Sequence, residues 1–158
     1  MPSGGGIGGH MVGKVISAAV SGVTAQLVEV EADIAPGLPS FELTGNLGGT
    51  AREARERVRT ALRNSRIRMN PGRITVSLAP ARLRKEGSHF DLAIAVALLC
   101  AGGFIAQEKT ENILLAGELG LDGRVNRINA AMPMMIKGAE AGSGAALCRT
   151  KTRRRGSI

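Results

Sequence analysis

Two hydrophobic periods alternate along the chain, and each change of period marks an element. Val28, Val30, Ala32 and Ile34 alternate with Glu29, Glu31 and Asp33. Thr24 to Ile34 therefore reads as a strand with one buried face and one wet face. Gly13 to Val20 precedes it across a Ser21-Gly22 turn and reads as its partner. Pro36-Gly37-Leu38-Pro39 breaks the chain, and Phe41 to Thr44 predicts a third strand. The period then lengthens. Ala51, Ala54, Val58, Ala61 and Leu62 fall on one face of a helix. Thr50 opens that helix, and Glu53 completes a capping box with it. Arg52, Arg55, Arg59, Arg63 and Arg66 form a second stripe, about 110° round the axis from the first.

Asn70-Pro71-Gly72 predicts a turn, and Arg73 to Ala79 a strand. From Leu92 to Ala106 polarity disappears except at Cys100, Gly102 and Gly103. Such a run has to be buried, yet it is shorter than the roughly 18–20 apolar residues that cross a bilayer. Alanine and leucine dominate it, so it predicts a core helix. Ser88 and Asp91 stand ahead of it in capping-box spacing. Ile113 to Leu115 predicts a short strand, Gly117 to Val125 a hairpin about Asp122-Gly123, and Asn129 to Ala141 a last helix. This order predicts an α+β domain with one mixed sheet and about three helices. Residues 1–11 read as a leader ending in a cloning scar, 12–142 as the domain, and 143–158 as a basic, disordered tail.

Composition narrows the chemistry. The chain has 158 residues, enough for one domain with a core. It has three phenylalanines and no Trp or Tyr, so the core is aliphatic and aromatic stacking platforms are scarce. The net charge is +8, and positions 50–85 hold 11 basic groups against Glu53 and Glu56. Such a band points to an anionic partner, with a merely solvated face as the competing reading. Cys100 and Cys148 show no metal spacing and fit a reducing compartment. His10 and His89 do not make a metal site, because His10 falls in the leader.

One motif misleads. Gly8, four residues, then Gly13-Lys14 imitates a phosphate-binding loop. Val15 stands where the motif needs Ser or Thr for magnesium, and no strand precedes it. The arginines carry more weight. Arg55, Arg59, Arg63 and Arg66 share a face, Glu56 points to its far edge, and Glu53 is assigned to the cap. Guanidinium forks suit phosphate, so these four are candidates for nucleic-acid binding that weakens with salt. In the competing reading they pair with acids such as Glu29 and Glu31, or face another protein.

A family resemblance emerges from six stretches taken in order. They are Gly37-Leu38-Pro39, Arg55 to Ser65, Arg73 to Ala81, Lys85-Glu86-Gly87, Phe90 to Ala95, and Gly117 to Gly123. Together they resemble the N-terminal domain of the YifB/ComM family of magnesium-chelatase-related bacterial AAA+ ATPases. The likeness covers residues 13–142. It departs from the family at Asn46-Leu47-Gly48-Gly49, which lacks an expected proline, and in the tail.

That domain is in turn similar to the proteolytic domain of Lon proteases, within the ribosomal protein S-five domain-2-like superfamily. The resemblance implies a Ser-Lys dyad at two positions. The serine position falls at His89 and the lysine position at Met132, so neither dyad member is present. Ser88 is one step away, about 100° round a helix, and Lys137 lies off the face of Met132. The resemblance thus implies a non-catalytic accessory domain of a cytoplasmic ATPase implicated in DNA processing during natural transformation. It implies no cofactor in this stretch, with ATP and magnesium held by a downstream AAA+ core of the full-length protein, which forms homo-hexameric rings. The partners implied are that core and DNA, without a membrane. The alternative is a Lon-type peptidase or cryptic hydrolase using Ser88 or His89.

Overall fold

The computed structural model describes residues 11–128, 131–140 and 145–148. The long hairpin that alternation predicts is the spine. β1 (Met11–Ser21) pairs antiparallel with β2 (Thr24–Ala35), placing Val15 opposite Val30 and Ser17 opposite Val28. β3 (Ser40–Thr44) and β4 (Arg73–Ala79) run parallel, with Phe41 beside Ile74, and β4 joins β2 antiparallel. β5 (Ile113–Ala116) adds parallel to β1, and β8 (Ala145–Cys148) parallel to β5. The result is one mixed six-stranded sheet in the order β3-β4-β2-β1-β5-β8. β6 (Glu118–Leu119) and β7 (Val125–Asn126) form the expected small hairpin apart from it.

Helices lie against both faces of the sheet, because one face of the β1–β2 hairpin is apolar along its length and the other is apolar near its turn, before the acids Glu29 and Glu31. Val15, Ala19, Val28, Val30 and Val76 face the larger core, under α2 (Ala54–Asn64) and α3 (Asp91–Ala101). Ala18, Ala25 and Leu114 face the other way, with Met134 of α4 (Ala131–Glu140) in the same cluster. α3 is buried almost all round, as an Ala/Leu run without charge requires. It lies so close to β1 that a side chain at Gly13 would collide with the Ala97 carbonyl. The fold is α+β, and among the described residues no helix is long and apolar enough to cross a membrane.

Several boundaries differ from expectation. α3 ends at Ala101, because Gly102 and Gly103 follow and the chain turns into a 3-10 segment at Gln107–Thr110. The helix expected from Thr50 is two pieces, α1 (Gly49–Arg52) and α2, meeting at Glu53. Neither capping box forms. The first helix is capped at Gly48, ahead of Thr50, and the Glu53 carboxylate reaches Arg57 instead. At α3 the cap falls on Phe90, and the side chains of Ser88 and Asp91 go to other partners. β1 begins at Met11, the last residue of the expected leader, and Ala145–Cys148 is a strand inside the segment expected to be disordered. The rest of the leader, including Gly8 and His10, lies outside the described residues.

Candidate functional site

Two places invite chemistry. The first is the turn ahead of α3, where the dyad would stand. Ser88 donates its hydroxyl to Glu118 Oε2, and Asn126 Nδ2 donates to Glu118 Oε1 at 3.4 Å. The Ser88 bond holds the Glu118 carboxyl below its usual range, which weakens it as a base. The His89 ring packs on Phe90 at 4.1 Å between centroids, and its Nε2 lies 2.7 Å from the Ala18 carbonyl. Burial pushes the imidazole pKa down. Met132 lies in the first turn of α4.

The neighbours of this turn are equally occupied. Lys85 has no exposed surface, and its amine donates to Gly45 O at 2.6 Å and to Pro80 O. Its backbone closes the same loop, through Lys85 N to Asn46 O at 3.0 Å and Gly48 N to Lys85 O at 2.8 Å. Burial pushes the amine pKa down. Asp91, also without exposed surface, takes Arg57 Nε at 2.6 Å, Arg57 Nη2 at 3.0 Å and Leu119 N at 3.1 Å. Burial raises the Asp91 pKa, against the pull of that guanidinium and amide. The two-pronged geometry suits the carboxylate form. Arg57 also ties down Thr50 O at 2.7 Å. Lysine, aspartate, serine and histidine here all bind their own fold.

The second place is a groove of about 1080 Å³ between the end of α2, the segment 66–72 and the start of β3. Its floor is apolar, from Phe41, Leu62, Ile67, Met69 and Ile74. Its rim carries Arg59, Arg63, Arg66 and Arg68, and no acid lines it. None of these four makes an ion pair among the described residues. Arg59 instead sits over the Phe41 ring, 5.8 Å from its centroid. α2 ends in a Schellman-type cap, with Ile67 N bonded to Leu62 O at 3.1 Å. That cap puts Arg66 at φ +59, a left-handed position that favours glycine.

The arginine row is thus partly dispersed. Arg59 and Arg63 remain on α2, and Arg66 has left the helix but returns to the same groove. Arg55 stands aside, with Nε 3.4 Å from Glu56 and Nη1 donating to Phe41 O at 3.4 Å. So Glu56 does neutralise one member, contrary to the expectation from spacing. Among the described residues Glu29 and Glu31 take none of the arginines. They pair with Lys14 at 2.9 and 3.7 Å on the other face of the sheet. Lys14 therefore stands within β1, not in a phosphate-binding loop.

The profile of the family described as subunit ChlI of Mg-chelatase matches residues 30–151, which spans both places. The chain belongs to the ChlI family. Competence protein ComM of Haemophilus influenzae is 38% identical over 122 residues, 77% of this chain and 24% of that protein. YifB of Escherichia coli K12, itself uncharacterized, is 39% identical over 124 residues, 78% of this chain and 24% of that protein. The uncharacterized protein Rv2897c of Mycobacterium tuberculosis is 42% identical over 125 residues, 79% of this chain and 25% of that protein. The chain spans about a quarter of the length of these relatives. The resemblance to the YifB/ComM family read from the motifs is borne out.

Within this ChlI-family domain, sequence reasoning missed three things. Arg57 was one arginine among many, and nothing local marks it as the partner of Asp91, 34 residues away. Lys85 was read as part of a motif, without its burial. Arg68 does not fall on the helical spacing of Arg55, Arg59, Arg63 and Arg66, so that spacing does not place it on the basic face. A signal for it existed, since Arg66-Ile67-Arg68-Met69 alternates cation and apolar residue as an extended groove wall does.

Proposed function

We propose that this chain is a non-catalytic accessory domain of a magnesium-chelatase-related AAA+ ATPase, acting by contact with the ATPase core, neighbouring copies or a partner protein. The observation that carries this reading is the Ser88 hydroxyl, donated to Glu118 while the nearest lysine of the motif, Lys85, spends its amine on two carbonyls. The one base that Ser88 touches among the described residues is the Glu118 carboxylate, whose lowered pKa makes it a poor acceptor of the hydroxyl proton, and no lysine amine among them reaches that hydroxyl. ATP and magnesium belong, in this reading, to the AAA+ core of the full-length protein, which assembles as a homo-hexamer in the cytoplasm. The Haemophilus relative is named a competence protein, and DNA processing is the role assigned here to the whole protein. The test is labelling with a fluorophosphonate and incubation with casein. We expect neither modification of Ser88 nor turnover. A Ser88 adduct in a mass spectrum would restore the hydrolase.

A second reading has this domain touch nucleic acid directly, along Arg55, Arg59, Arg63 and Arg66. It is favoured by the four unpaired guanidinium groups around the groove, Arg68 included.

A further inference from the structure

The groove combines two chemistries in one concavity, and a ligand has to answer both. Its rim is cationic and unpaired, while its floor is aliphatic apart from Phe41. A nucleic-acid duplex answers only the rim, since it presents a phosphate surface that leaves the floor unfilled. An unpaired strand needs flat faces on which its bases stack. The groove offers one ring, Phe41, which is 5% exposed and already covered by Arg59. A protein segment with carboxylates flanking a row of aliphatic side chains answers both. Guanidinium forks hold carboxylates two-pronged, and the apolar row fills the floor. At about 1080 Å³ the groove stands at the upper end of the range of ligand pockets, with room for several side chains of a segment of chain. Arg66 points the same way. Glycine would hold its left-handed cap position at lower cost, and strain of this kind collects where ligands bind.

We propose that the groove docks an acidic amphipathic segment of a partner protein, with Asp or Glu on Arg59, Arg63, Arg66 and Arg68 and aliphatic side chains on Ile67, Met69 and Ile74. This rests on the accessory-domain reading and names the chemistry of its partner. The test uses the full 158-residue chain and a fluorescent synthetic helix with leucines on one face and glutamates along its flanks. Two controls replace the glutamates by glutamine or the leucines by serine. Single-stranded and duplex oligonucleotides serve as competitors. The acidic amphipathic peptide should bind about tenfold or more tightly than either control. Arg63→Glu should remove that advantage. So should Met69→Asp, which keeps every arginine, with both variants checked for native circular dichroism. The proposal is overturned if the serine control binds equally well, if both variants leave the affinity unchanged, or if oligonucleotides displace the peptide through Arg63. Hydrolytic turnover at Ser88 would instead remove the accessory-domain reading and leave the peptide result standing.

Discussion

The turn ahead of α3 and the arginine groove hold similar numbers of ionisable groups, and they use them in opposite ways. In the turn the side chains of Lys85, Ser88, His89 and Asp91 are spent inward. Asp91 takes Arg57 and a backbone amide, Lys85 takes two carbonyls, Ser88 takes Glu118, and His89 takes Ala18. In the groove Arg59, Arg63, Arg66 and Arg68 have no ionic partner among the described residues, and they surround apolar side chains that the fold has left partly open. A polar group that satisfies the fold has little left to offer a ligand. A charge held unpaired over apolar surface is available to one. Two of the six family stretches, Lys85-Glu86-Gly87 and Phe90 to Ala95, meet at this turn, and motif reading there points at side chains that are already paired within the fold.

That contrast is broken most severely at Arg57. Replacing it with alanine leaves Asp91 charged, buried and unpaired, which should cost about 3–5 kcal/mol. Urea unfolding followed by circular dichroism measures this. A cost below about 1 kcal/mol would mean that water or another cation reaches Asp91. Lys85→Met keeps the bulk but strands the carbonyls of Gly45 and Pro80, so a loss of about 1–3 kcal/mol is expected in the same experiment. An unchanged unfolding midpoint would show that the buried amine contributes nothing net.

How much of this was legible beforehand follows from the range of each interaction. The β1–β2 hairpin and α3 were, because periodicity is local and both elements are long. Which residues stand at the dyad positions that the resemblance implies, His89 and Met132, was legible as well, since residue identity alone decides that. The helix caps were not, because side chains in capping spacing had stronger partners elsewhere: Asp91 in Arg57, and Glu53 in the same guanidinium. Nor was the groove. Its floor joins Phe41 to Met69 and Ile74, positions that only the parallel β3–β4 pairing brings together.

pH sharpens the comparison at His89. Burial holds its folded pKa below the unfolded value near 6.5. In the window between the two, the unfolded chain binds more protons than the folded one. Stability therefore rises with pH across that window. The contribution is fully present above the unfolded pKa and is lost as pH falls through the window. His89→Gln, which can still donate to Ala18 O, should flatten that acidic limb. Denaturation midpoints taken from neutral to mildly acidic pH check this, and parallel curves for the two proteins would assign the limb elsewhere.

The smallest stability effects belong to the groove, and they complete the contrast. Arg66→Gly removes a left-handed non-glycine residue at a helix end, so it should stabilise the fold by about 0.5–1 kcal/mol. Arg63 is exposed on α2, it has no ion pair among the described residues, and glutamine has a similar helix propensity. Arg63→Gln should therefore change stability by less than about 0.5 kcal/mol in either direction. The pair of results matters together. If the groove arginines were structural, both substitutions would destabilise, as Arg57→Ala does. If they serve a ligand, the fold should be indifferent to one and better without the other, while peptide binding weakens in both. Thermal unfolding of the two variants beside the parent decides it, and a loss above about 1 kcal/mol for Arg63→Gln would return the groove to the structural side of the comparison.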